Sequence, residues 1–155
     1  MKLKFYVMVS MLMLVSACSP PAGMPVQLTL SDLKGLWNSS ENKNGLTDLI
    51  YTRISSDGSI VEYDFDGDDV DKGLNCYQIT SGAVKNLGNN RFLVMADMYE
   101  NGQFEVELEI LDAGHALKIY FQDAKDPAKT LSSQIWTRVA DETLLDNEPT
   151  CQKTE

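Results

Sequence analysis

The chain has 155 residues, a formal net charge of −10, and 43% apolar against 23% charged side chains. That length holds one domain with a real core, and so acidic a surface repels nucleic acid and anionic headgroups, arguing against both as partners. Three cysteines and a single histidine show no recognisable zinc spacing.

Met1-Lys2-Leu3-Lys4 carries two positive charges and no acid, and an apolar run from Phe5 to Val15 follows, broken by Ser10. A basic start, a short apolar run and the small residues Ser16 and Ala17 describe a secretory signal peptide over residues 1–17. The run is too short for an ordinary transmembrane helix, which needs about 20 apolar residues. Val15-Ser16-Ala17-Cys18 resembles the lipobox of bacterial lipoproteins. The resemblance implies cleavage before Cys18 and acylation of that cysteine. Ser19, not Asp, comes next, which by resemblance to the Gram-negative sorting pattern implies the outer membrane, facing the periplasm. Two or more acyl chains anchor stably, because each buried CH₂ adds about 0.8 kcal/mol. Ordinary secretory cleavage near Ala17, leaving Cys18 as a thiol, is the competing reading. Cleavage at Cys18 leaves 138 residues, and loss of Lys2 and Lys4 takes the charge to −12.

Residues 18–29 read as a tether, since Pro20, Pro21, Gly23 and Pro25 discourage helix and sheet alike. Leu30 to Gly35 has room for one helical turn. From there to Val139 the pattern has period two, punctuated by turn residues. The expected strands are Gly35–Ser39, Asp48–Ser55, Ser59–Phe65, Asn75–Val84, Arg91–Asp97, Gln103–Leu111, Ala116–Gln122 and Leu131–Val139. In the sixth, Phe104, Val106, Leu108 and Ile110 alternate with Gln103, Glu105, Glu107 and Glu109. The seventh sets Leu117, Ile119 and Phe121 against Lys118. In the eighth, Leu131, Ile135 and Val139 oppose Gln134, Trp136 and Arg138, with the apolar side expected inward. Asp57-Gly58 and Asn101-Gly102 supply positive φ for hairpin turns. Eight strands at such spacing form an all-β antiparallel meander, which closes into a small barrel over residues 30–140 because closure removes exposed edges. A polar tail, 141–155, follows, with room for a helical turn at Glu142–Asp146. Cys76 and Cys151 make one candidate disulfide in an exported protein. Closing that loop would contribute about 4 kcal/mol in the chain-entropy model and pin the tail to the barrel.

Gly35-Leu36-Trp37 at the first strand and Trp136-Thr137-Arg138 at the last resemble lipocalins and lipocalin-like domains. The resemblance implies that Gly35 gives the tight entry, Trp37 the barrel floor, and Arg138 a cation stacked on the indole. A disulfide from the tail to a mid-barrel strand is also common there, and Cys76–Cys151 fits it. The chain departs from the family at Leu111-Asp112-Ala113, where Thr-Asp-Tyr would stand, and in lacking a long helix after the last strand.

Between the third and fourth strands, Asp64-Phe65-Asp66-Gly67-Asp68-Asp69-Val70-Asp71 packs five carboxylates into eight residues. Asp64, Asp66, Asp68 and Asp71 have the oxygen-rich chemistry of a Ca²⁺ loop, but the preferred reading is a solvated acidic hairpin, with Asp and Gly favoured by turn geometry and solubility. No Gly-x-Ser-x-Gly, His-Glu-x-x-His, phosphate loop or dinucleotide fingerprint occurs. His115 follows Gly114 at an expected turn, where a histidine ordinarily faces solvent. The expectation is a non-enzymatic, membrane-anchored module without an obligatory cofactor, binding a small apolar ligand. The alternative is a solid barrel that contacts other envelope proteins.

Overall fold

The computed structural model describes residues 27–68, 70, 73–96, 102–126 and 128–151. Cys18, most of the expected tether, Asp71 and Asn101 lie outside the described residues. A short helix, α1 (Leu30–Leu33), precedes ten strands: β1 (Gly35–Asn38), β2 (Glu41–Lys43), β3 (Leu46–Asp48), β4 (Ile50–Ile54), β5 (Ser59–Phe65), β6 (Tyr77–Gly88), β7 (Arg91–Ala96), β8 (Gln103–Leu111), β9 (Ala116–Gln122) and β10 (Thr130–Arg138). Eight of them close an antiparallel barrel in the order β1-β10-β9-β8-β7-β6-β5-β4, as the meander predicts. β2 and β3 form a separate hairpin inserted between β1 and β4. No sequence pattern marks it, because each arm is three residues long and largely polar. Its turn, Asn44-Gly45, has φ of 59° and 87°, the geometry such a dipeptide favours.

The barrel interior is where the alternation of β8 and β9 places it. Val106, Leu108, Leu117 and Ile119 are all at most 5% exposed, and Glu105, Glu107 and Glu109 face outward. β10 corrects the expectation. Leu131 and Ile135 are each 59% exposed, while Ser132, Gln134 and Trp136 face the interior. The register decides this: Gln134 pairs with Ile119, and Trp136 with Leu117, the inward residues of β9. Burying one indole with the Trp37–Arg138 stack at the strand's end outweighs burying two aliphatic side chains.

One end of the barrel is sealed. Leu33 and Trp37 are fully buried, and Trp37 Nε1 donates to Leu33 O at 2.8 Å. The Arg138 guanidinium lies 4.3 Å from the Trp37 ring centre. It donates to the carbonyls of Gly114 (2.8 Å), Lys34 (2.5 Å) and Asp32 (3.1 Å), tying the last strand to the first segment. The structure thus brings Gly35, Trp37 and Arg138 together. Leu28, near the end of the expected tether, is already fixed to this floor: its N–H donates to Asn90 Oδ1, and its carbonyl accepts from Asn86 Nδ2, both at 2.8 Å.

A second, smaller core lies outside the barrel wall. Leu36, Tyr77 and Leu145 are buried there against Tyr51, Tyr63, Phe65 and Val139. The tail reaches it through three successive turns (Leu144 N–H to Asp141 O, Asp146 N–H to Thr143 O, Glu148 N–H to Leu145 O) rather than the helical turn expected at Glu142–Asp146. Beyond the turns, Tyr77 exchanges backbone hydrogen bonds with Pro149 and Cys151 at 2.8 and 2.9 Å. The Cys76–Cys151 disulfide, with Cα atoms 5.1 Å apart, fastens the tail beside this bridge.

Candidate functional site

The barrel is hollow. A cavity of about 330 Å³ occupies its interior between the Leu33 floor and the end bearing the β2–β3 hairpin, within the size range of small-molecule sites. Most of its wall is hydrocarbon and aromatic: Phe92 and Val94 from β7, Phe104 and Val106 from β8, Ile119 and Phe121 from β9, and Trp136 from β10. Phe104 and Phe121 stack with centroids 5.7 Å apart, holding the wall rigid without filling the space.

One wall is polar. On β4 and β5, Thr52 stands opposite Glu62 in the ladder, and both reach the cavity. Ser39 and Thr52 are buried and hydrogen-bond to each other at 2.9 Å. The inserted hairpin adds Glu41, which lines the cavity and accepts from Gln134 Nε2 across the seam between β2 and β10. Asp48, opposite Glu41 in the hairpin, is buried with its side chain 3% exposed, though it does not line the cavity. It pairs with Lys43 through one oxygen, while Oδ1 has no hydrogen-bond partner among the described residues.

Glu62 is the distinctive group. Among the described residues no hydrogen bond reaches its carboxyl, and burial together with the charges of Asp64, Glu41 and Asp48 pushes its pKa from the ordinary 4.5 up to about 7. Nothing in its local sequence announces this, because Glu62 sits between apolar residues in a strand whose two faces both look buriable.

Of the acidic loop, Asp64, Asp66 and Asp68 are among the described residues, whereas Asp69 and Asp71 are not. Asp64 lies on β5 within the field of Glu62. Asp66 accepts from Leu74 N–H (2.7 Å) and Gln78 Nε2 (2.9 Å). Asp68 accepts from Leu49 N–H (2.6 Å) and Val70 N–H (2.8 Å). Asp66 and Asp68 thus each cap backbone N–H groups of their own stretch, and the three aspartates do not form one ligand cluster among the described residues. Asp66 does approach Cys76 and Cys151, but those sulfurs are bonded to each other. His115 is exposed in the β8–β9 turn at the floor, away from the cavity mouth. Tyr51, Tyr63 and Tyr77 belong to the outer core, with edge-on contacts at 6.4 Å. Tyr120 points outward to Glu109, at 2.7 Å.

No protein-family model matches the chain, and no curated protein matches it either. The functional reading therefore rests on the cavity and on the N-terminal motif.

Proposed function

We propose that this protein is a lipid-anchored, non-enzymatic binding module of lipocalin-like shape, whose barrel takes one small, largely apolar ligand on the periplasmic face of the outer membrane. The observation that carries the reading is the cavity of about 330 Å³ with its aromatic and aliphatic wall. A barrel used only as a scaffold gains stability by filling such space, since each lost contact across a void costs packing energy. The signal peptide and the Val15-Ser16-Ala17-Cys18 lipobox support the anchor.

Two experiments bear on it. Native mass spectrometry of the full chain, purified from its own envelope, is expected to show one small molecule per protein that a purified apolar competitor displaces. Failure to retain any molecule, together with failure to take up a neutral apolar dye, would sink the binding reading. Separately, the mature chain is expected to carry acyl mass on Cys18, and Cys18→Ser is expected to remove that mass and to block the cleavage before it; a mature chain without acyl mass on Cys18 overturns the anchor. Exposed Leu131 and Ile135 on the outer face of β10 favour the second reading, contact with an envelope protein. Their joint replacement by Ser leaves ligand uptake intact if the cavity is the working site.

A further inference from the structure

We infer that the cavity selects an organic cation, a ligand with a hydrocarbon body and an ammonium-type head seated against Glu62. This deepens the binding proposal and rests on it. The cavity has two unlike halves: an apolar barrel wall centred on Val94, Phe104 and Phe121, and a polar wall on β4, β5 and the inserted hairpin. The polar half is rich in acceptors and poor in donors. Ser39 and Thr52 share one hydrogen bond, and one proton of the Gln134 amide goes to Glu41. Lys43, the cation facing this cluster from β2, is held by Asp48.

What remains is acceptor capacity. Glu62 lines the cavity and receives no hydrogen bond among the described residues. A largely buried carboxylate that faces a cavity without a hydrogen bond has acceptor capacity for a donor that enters it. The charged groups acting on Glu62 are Asp64 from β5 itself, Glu41 from β2 and Asp48 from β3, and Lys43 from β2 acts on those three. The ladder neighbours of Glu62 on β4 and β6, Thr52 and Thr80, carry no charge. Four carboxylates against one engaged lysine repel a carboxylate or phosphate head and attract a cation. An ammonium, with three donors and no acceptor, supplies what this wall lacks. The hydrocarbon body has the opposite wall to lie against.

The test compares octylamine, octanol and octanoate, three ligands of one chain length, by calorimetric titration of the full chain in a non-ionic detergent at mildly alkaline pH, with detergent blanks subtracted. Octylamine is expected to bind one to one, about tenfold or more tighter than octanol, with octanoate weakest. Glu62→Gln is expected to bring octylamine down to the octanol affinity while leaving octanol unchanged. Val94→Trp, which fills the apolar half, is expected to weaken all three.

Equal binding of octylamine and octanol, or an amine preference that survives Glu62→Gln, overturns the cationic head but leaves the apolar site standing. No binding of any of the three overturns the binding proposal as well. Octylamine bound at several equivalents, or unaffected by Val94→Trp in a protein whose circular dichroism is unchanged, places it on the acidic exterior and also overturns the inference.

Discussion

Two residues govern opposite ends of the barrel. At the floor, Gly35 has φ of 141°, and a Cβ there would come within 2.5 Å of Arg138 Nη1. The missing side chain is what lets the guanidinium lie over Trp37 while it donates to three carbonyls. Gly35→Ala therefore combines backbone strain with displacement of Arg138, and is expected to lower stability by about 2–3 kcal/mol in urea unfolding. A loss below half a kcal/mol would show that the floor tolerates a side chain. On the polar wall, Glu62 governs pH dependence. Its folded pKa of about 7 exceeds its ordinary value of 4.5, so between those values the folded chain holds a proton that the unfolded chain has lost. This contribution is fully present below pH 4.5 and is lost as pH rises through 7. The ceiling is about 3 kcal/mol, and partial solvation of the group lowers the real figure. Thermal melts from pH 5 to 8 are expected to show a decline that Glu62→Gln flattens. An equal decline in the variant assigns it to other groups.

At the scale of strands, the tail and the outer core explain both stability and what the sequence conceals. Tyr63 and Phe65 alternate with Glu62 and Asp64 along β5, and alternation alone sends the aromatic set to the barrel interior. The barrel does the reverse, because Tyr63 and Phe65 pack against Tyr77 and Leu145 beneath the tail, leaving the carboxylates to face inward. No local pattern reveals that a second core exists outside the wall. Cys76 and Cys151 hint at it from a distance of 75 residues. β8 and β9 were legible because one face of each is packed and the other solvated, whereas β10 misled because a cavity accepts Ser132 and Gln134 where a solid core would not. Since the disulfide holds the tail over this outer core, the double variant Cys76→Ser with Cys151→Ser is expected to cost about 4 kcal/mol. Amide exchange at Tyr77 and Cys151, whose N–H groups bridge tail and barrel, is expected to accelerate more than exchange in β8. Uniform acceleration across the barrel would mean that the disulfide protects the fold as a whole, not the tail alone.

For the whole molecule, the direction of the mouth matters more than the shape of the barrel. Gln27 lies at the floor end, hydrogen-bonded to Asn89 in the β6–β7 turn, and the acidic hairpin stands at the opposite end. Under the lipid-anchor proposal eight residues lie between Cys18 and Gln27, and the nine steps span at most about 32 Å at 3.3–3.6 Å per residue. β10, with nine residues, rises about 30 Å along its own axis at 3.3 Å per residue, and less along the barrel axis because barrel strands tilt. The tether is thus about as long as the barrel, enough to hold the floor nearer the bilayer without fixing it rigidly. The cavity then opens away from the lipid surface, toward solutes of the surrounding compartment rather than lipids of its own leaflet. This can be measured by attaching a fluorophore to Asn44→Cys at the hairpin tip or to Asp57→Cys at the floor. The full chain is then reconstituted into vesicles containing a quencher lipid. The floor label is expected to be quenched more strongly than the hairpin label. Equal quenching would mean a freely tumbling domain, and stronger quenching of the hairpin would turn the mouth toward the membrane, making the bilayer itself the source of the ligand.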